Sequence, residues 1–411
     1  MKRATALLLL SLAGAQAAPV IFSDYRTQRP GVVHHITPAD LPSPNLIQGV
    51  TANAPMGSTR PKGAWPTAPP GFKVTLYAEN LKTPRELRTA PNGDVFLAES
   101  GAADVQVFRH GHPTVFASDL PHLYGMAFYP PTRPEWFYVS TPTDVYRYPY
   151  RPGDLHARGP RQHVITLPCN DRGHWTRDLA FSKDGEHLFV AVGSHSNVSS
   201  VAEDPQEKSR ATVLEYRPDG TGMRVYVSGV RNAGAGLAVD PKSGDLWGSA
   251  NERDGLGDDL PPDYVTHFEA GGFYGWPYYY TGHHPDPRHP DPPAARVLVP
   301  DVLIQPHNAS LQLAFYQGTS FPAEYRGDIF CAQHGSWNRS VRTGYEVIRV
   351  PRHGTTRADG TYQDFLCGFV TAAGGVWGRP VGVTVAQDGA LLVSDDMSGS
   401  IWRVAWVGSG K

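Results

Sequence analysis

A short unit recurs around nearly the whole chain, and no other feature of the sequence limits the possible folds as tightly. Each copy has an apolar, strand-like half, a turn containing Gly, and a second apolar half ending in small or polar residues. Clear copies run from Leu87 to Glu99, Leu179 to Val192, Leu237 to Ser249 and Val383 to Ser394. Two looser ones complete the set. Met126 to Ser140 carries Pro-Thr-Arg-Pro in place of the Gly turn, and Leu313 to Ala332 has a longer insert before Arg326-Gly327-Asp328. Asn92-Gly93, Asp184-Gly185 and Asp388-Gly389 lie between β-prone runs, where positive φ costs little and a hairpin is favoured.

Third strand-like runs follow most hairpins, at Val105–Phe108, Val145–Tyr148, Val213–Tyr216, Tyr345–Val350 and Ile401–Val404. Six such copies predict six small antiparallel sheets. Closing them in a ring buries both faces of each, so the fold class is all-β, a six-bladed β-propeller. The fourth copy shows no clear third strand. In its place stands Asn251 to Pro300, a long insert rich in Gly, Pro, Asp, His and aromatics, and such loops are commonly functional. Phe72–Tyr77 is expected to close the ring against the last blade.

Composition agrees with a chain that turns often: 43 glycines and 38 prolines among 411 residues. The first residues read as an export signal, with Lys2 and Arg3, an apolar run from Leu7 to Leu12, and Ala15-Gln16-Ala17 as cleavage site. The expected organisation is therefore a signal peptide at 1–17, a Pro-rich lead-in at 18–71 and a propeller domain at 72–408. No stretch is apolar enough to span a bilayer, so a secreted or periplasmic location is expected. A net charge of −2 points to neither nucleic acid nor an anionic membrane. Three cysteines make no disulfide scaffold. Pairing of Cys331 with Cys367 stays open, and no Cys-x-x-Cys-His haem motif occurs.

Chemistry is expected where loops enter the first strand of each unit, because these face the central channel. Four such loops carry arginines. They are Pro84-Arg85, Gly173 to Asp178 with His174 and Arg177, Gly229 to Asn232 with Arg231, and Trp377 to Pro380 with Arg379. Their convergence predicts a cationic mouth with one titratable base, His174, suited to a small ligand bearing several carboxylates. Salt bridges bracing neighbouring blades are the plainer alternative for any one arginine. His283, His284 and His289 lack ordered metal-ligand spacing and read as solvated.

The runs Pro84 to Glu99, Arg231-Asn232, Asn251 to Asp259, Gly272 to Pro277, His334 to Arg339 and Gly378 to Gly382 resemble the sorbosone and soluble glucose (aldose sugar) dehydrogenases. The resemblance spans roughly residues 70 to 407. Those enzymes are six-bladed quinoproteins that use pyrroloquinoline quinone (PQQ) and Ca²⁺. It implies a PQQ-dependent oxidation of an aldose or sugar aldehyde, with electrons passed to a separate acceptor. Residue by residue, it implies His174 as general base, and Arg231 with Asn232 as quinone contacts, Arg231 stabilising developing negative charge. Arg379 matches a cofactor-carboxylate contact, with Arg85 and Arg177 beside it. Glu252-Arg253-Asp254 aligns with a loop whose backbone carbonyls hold Ca²⁺, which makes Arg253 and Asp254 the metal positions. Where the glucose dehydrogenases have a cofactor-pairing Lys, this chain has Gln333-His334, leaving His334 or Arg339 to substitute. A Ca²⁺-dependent propeller hydrolase such as a lactonase, and a cofactor-free binding module, are the two rival classes.

Overall fold

The computed structural model describes residues 21–47 and 52–408, so the expected signal peptide lies outside the described residues. Six sheets stand in a ring. The first blade comprises Pro84–Thr89, Val95–Glu99, Asp104–Arg109 and His112–Ala117. Blades two and three run from Met126–Tyr129 to Gln162–Thr166 and from Leu179–Phe181 to Arg224–Ser228. All three are four-stranded antiparallel meanders. The turn glycines take the positive φ their motifs demand, +90° at Gly93, +79° at Gly185 and +82° at Gly389.

The last blade is built from Pro380–Val385, Leu391–Asp395 and Ser400–Trp406, and its outer strand is Phe72–Ala78 from the other end of the propeller. Phe72 pairs with Trp406 and Leu76 with Trp402. The ring is therefore closed by the expected segment. Each junction between neighbouring blades holds an apolar cluster of its own. Phe96, Val107 and Phe137 join blades one and two, and Val383, Val393 and Trp402 meet Phe330 and Phe365 between blades six and five. This is why no blade is stable alone.

The sequence reading of the fourth blade needs correction. Its inner strands are Leu237–Val239 and Leu246–Ala250, and it does have a third strand, Asp263–His267, lying inside what reads as insert. Val302–Ile304 supplies the fourth after an excursion bearing a two-residue hairpin, Tyr279–Tyr280 with His284–Pro285. Pro261-Pro262 and Gly272 flank this strand and mask it as loop. The fifth blade holds Ser310–Phe315, Ile329–Gln333, Glu346–Val350 and Thr361–Leu366, and gains a fifth strand, Val33–His35, from the lead-in.

Cys331 and Cys367 are both free. They lie on either side of the strand Glu346–Val350, and two strand spacings of about 4.8 Å each exceed the reach of a disulfide. The middle of the ring is plugged. Gln312 accepts from the amides of Leu87 and Val383, and Asp178 accepts from Leu179 and Leu237, so inner strands of separate blades are tied across the axis. Among the described residues, no helix is long and apolar enough to cross a membrane.

Candidate functional site

Above the plug, at one mouth of the ring, lies a cavity of about 530 Å³. Its floor includes Leu311, packed in an apolar cluster with Tyr124, Ala235 and Val381 against Trp175. The walls bring together His174, Arg231, Asn232, Arg85, Arg379, His334 and Asp254, seven of the ten residues singled out from sequence.

His174 stands on the loop that enters the third blade. Gly173 is required there: its φ is +72°, and a Cβ would meet the His195 backbone at 2.5 Å. Gly193, across the cavity wall, has no side chain because a Cβ would strike Asn232 and His174 at 2.5 and 2.7 Å. The His174 Nδ1–H donates to the Ser194 carbonyl at 2.9 Å, so Nε2 carries the lone pair. Burial, with Arg231 nearby, pulls the imidazole pKa down to about 3. The ring is thus neutral at neutral pH, with Nε2 free to accept a hydrogen bond or a proton.

Arg231 is 6 % exposed and each nitrogen of its guanidinium donates a hydrogen bond. Nε donates to the Asn197 carbonyl (3.0 Å), Nη2 to Asn197 Oδ1 (2.9 Å) and Nη1 to the Glu252 carbonyl (2.8 Å). Its charge lies 3.6 Å from Asp254. Burial raises the Asp254 pKa, but His307 and Arg231 outweigh it and hold the group below its ordinary value. The same burial pushes Glu252 up to about 8 and Asp263 up to about 6. Glu252 is accordingly protonated at neutral pH, whereas Asp263 is mostly ionised.

The opposite wall is cationic. Arg85 donates to Asp396 at 2.7 Å and lies over Trp175, 5.6 Å from the ring centre. Its Nε is buried without a partner. Arg379 reaches the carbonyls of His334 (3.0 Å) and Gly335 (3.3 Å). His334 Nε2 lies 2.9 Å from Asp396, and burial lowers its pKa to about 4. Asp396 in turn is kept ionised by His334, Arg85 and Arg379 against its own burial.

The other three sequence candidates do not reach the cavity. Arg177 is fully buried behind it, donating to the carbonyls of Pro142, His174, Thr176 and Asn170. It braces the His174 loop, so only three of the four expected arginines converge. Arg253 points away and pairs with buried Asp286, both oxygens at 2.7 Å. Arg339 bonds Ser23 and Asp259 outside the cavity. His289 is held by the Val198 carbonyl rather than solvated.

The carbonyl cradle expected for Ca²⁺ is already engaged at two of its oxygens. The Glu252 carbonyl already accepts from Arg231, and the Asp254 carbonyl accepts from Arg253 Nε (2.9 Å) and Asn197 Nδ2 (3.0 Å). A planar polycarboxylate fits better. The cavity volume is in the range of small-molecule sites, Arg85 and Arg379 share one wall, and the orphaned Arg85 Nε awaits an acceptor.

Several wall residues escaped sequence reasoning. Glu252, Trp337 and Asn338 lie inside motifs that carried the family resemblance, but without a role attached. Asp263 and His307 gave no signal, because the strand and turn that place them read as insert. Asn197 and Asn338 act as cross-braces: each donates its Nδ2 to Asp254.

The comparisons with known proteins follow this geometry. The sequence profile of the TrAA12-like family matches residues 66–263 and 289–407, and the chain belongs to that family. An uncharacterized protein of Borreliella burgdorferi is 28% identical over 349 residues, covering 82% of this chain and 89% of that one. The pyrroloquinoline quinone-dependent pyranose dehydrogenase of Coprinopsis cinerea is 24% identical over 411 residues, covering 81% of this chain. The chain spans about half, 54%, of that enzyme's length. The holo PQQ domain of the C. cinerea pyranose dehydrogenase superposes with a TM-score of 0.68 at 20% identity, covering 86% of this chain and 100% of that one. At that identity the likeness speaks for the fold.

One expected result follows from the His174 environment. With His174 as the proposed base, the acid limb of kcat/KM should lie well below pH 6.5, the ordinary imidazole value, because the folded protein holds this ring neutral down to about pH 3. The same shift sets a stability trend. The unfolded chain binds this proton below pH 6.5 and the native one does not. The contribution of His174 is therefore complete above 6.5 and is lost as pH falls toward 3. A pH–rate profile whose acid limb sits between 6 and 7 would assign the base elsewhere.

Proposed function

We propose that the protein is a PQQ-dependent dehydrogenase of small sugars, oxidising an aldose or a sugar aldehyde in a secreted or periplasmic setting. The observation that carries this reading is the single cavity in which a neutral His174 faces Arg231 while Arg85 and Arg379 line the opposite wall. The family membership supports it, as does the PQQ dependence of the C. cinerea relative. The propeller at 72–408 would form the catalytic unit.

When bound, PQQ would supply the oxidant that receives a hydride from the sugar carbon. The chain's own residues do the rest. Arg85 and Arg379 hold carboxylates as charge-assisted pairs, with Asp396 keeping Arg85 and His334 in place. His174 Nε2 takes the hydroxyl proton of the substrate, its ring fixed by the Ser194 carbonyl. Arg231 presents a positive charge that is held rigidly by Asn197 and Glu252 and needs no rearrangement during reaction. Electrons would pass to a separate acceptor.

One observation favours a second reading. Asn251, Glu252, Asp254, Asp263 and Asn338 border the same cavity, and side chains of these types hold the metal in Ca²⁺-dependent hydrolases. A dye-linked oxidation assay separates the readings, run on a panel of aldoses with and without PQQ and Ca²⁺. Sugar-dependent dye reduction that requires PQQ is the expected result. Hydrolysis of a sugar lactone without PQQ would establish the hydrolase instead, and no activity in either format would favour a binding module. A Ca²⁺ requirement would direct attention to the cavity carboxylates, not to the Glu252–Asp254 carbonyls.

A further inference from the structure

Away from the mouth, where the lead-in crosses the edge of the fifth blade, four metal-ligating side chains meet in the interior. Glu346, Asp364 and Cys367 are at most 2 % exposed, and one ligand atom from each lies within 4.8 Å of the other two. The Cys367 Sγ is 3.7 Å from Glu346 Oε2. His34, from the lead-in strand Val33–His35, sets its Nε2 2.7 Å from Asp364 Oδ1, with its ring stacked on Tyr362. These residues come from three separate stretches of chain, which the fold alone has brought together.

Charge makes the arrangement costly as it stands. Burial and the neighbouring Asp364 push the Glu346 carboxyl well above its ordinary range. Among the described residues no Lys or Arg side chain ion-pairs with either carboxylate, and the Arg29 guanidinium turns outward to the carbonyls of Arg26 and Gln28. The site is nonetheless built. Gln28 Nε2 donates to Glu346 Oε1 at 2.7 Å and the Arg29 amide to Asp364 Oδ2 at 3.0 Å, which orients both carboxylates from outside. A cleft of about 200 Å³, walled by Tyr25, Gln28, Arg29 and Cys367, leads in from solvent.

We propose that Glu346, Asp364 and Cys367 form a binding site for a divalent cation of the zinc class, with His34 holding Asp364 as its outer partner, so that the ion fastens the N-terminal segment to the fifth blade. One thiol and two carboxylates, with a water as fourth ligand, make a donor set for Zn²⁺ or Co²⁺ and do not match the all-oxygen preference of Ca²⁺ and Mg²⁺. Tetrahedral bonds of about 2.0–2.3 Å put ligand atoms roughly 3.3–3.8 Å apart, the scale of the Cys367–Glu346 separation. Binding displaces the thiol proton, so affinity rises with pH. A second three-residue cluster, His195, Asp204 and Glu207, lacks this readiness, because both Glu207 oxygens already accept from the amides of His195 and Ser196.

The test uses the full chain stripped of metal with a chelator and titrated with Co²⁺. The proposal expects saturation at one ion per chain with a thiolate-to-cobalt charge-transfer band, displacement by Zn²⁺, and a higher Tm when metal is bound. Cys367→Ser should abolish the band. His34→Gln should keep the band and weaken affinity by the roughly 10–100-fold lost with an outer partner. A stripped wild-type chain that gives no such band overturns the proposal, and so does a band that survives Cys367→Ser. The wild-type spectrum and His34→Gln decide the matter should Cys367→Ser not fold.

Discussion

Replacing His174 by Ala is expected to lower sugar oxidation about 10²–10⁴-fold, the range a positioned general base contributes, while PQQ affinity stays near that of the wild type. The split follows from geometry. The imidazole spends its Nδ1–H on the Ser194 carbonyl and offers only Nε2 to the cavity, whereas the groups suited to hold cofactor carboxylates are on the opposite wall. The loop itself should survive, since Arg177 and Arg210 bind its carbonyls from behind. Steady-state rates at saturating PQQ, with a parallel binding titration, check the result. Near-normal turnover in this variant would require a different base.

Arg231→Met should be more disruptive, losing both turnover and stability. Its guanidinium satisfies Asn197 and the Glu252 carbonyl and faces Asp254, all within the buried wall. Removing one partner of such a buried network strands the others, at a cost of about 3–5 kcal/mol. Two separable signatures are expected. Denaturant midpoints fall in Arg231→Met, and Arg231→Lys, which restores charge but not the fork of donors, recovers only part of the stability and little of the rate. A variant with wild-type midpoint and rate would show that the bonds of Arg231 are replaceable.

Much of the architecture was written in local turn chemistry. Asn92-Gly93, Asp184-Gly185 and Asp388-Gly389 announce hairpins because glycine alone reaches their positive φ cheaply, and the turns fall where they indicate. The closing strand was legible because Phe72–Ala78 is β-prone and otherwise has no sheet to join. The third strand of the fourth blade was not, since Asp263–His267 is a short polar-edged run that acquires its strand character from pairing with Leu246–Ala250.

The site was half legible for a similar reason. Arg85, Arg177, Arg231 and Arg379 sit in comparable loops, yet their offsets from the inner strand differ. Arg85 lies within its strand, Arg379 one residue before, Arg177 two and Arg231 six. Side-chain direction alternates residue by residue near a strand, so a shared motif does not guarantee a shared face. Arg177 accordingly turns into the wall. The carboxylates Glu252, Asp254 and Asp263 converge through long-range folding of the fourth blade, which no local pattern encodes.

The central claim is that this mouth holds a quinone polycarboxylate, and a calorimetric titration of PQQ into the purified chain tests it most directly. The account predicts one PQQ bound per chain, with affinity falling steeply in Arg85→Gln and Arg379→Gln and hardly at all in His174→Ala. Absence of binding by the wild-type chain, or binding indifferent to both arginines, would contradict it.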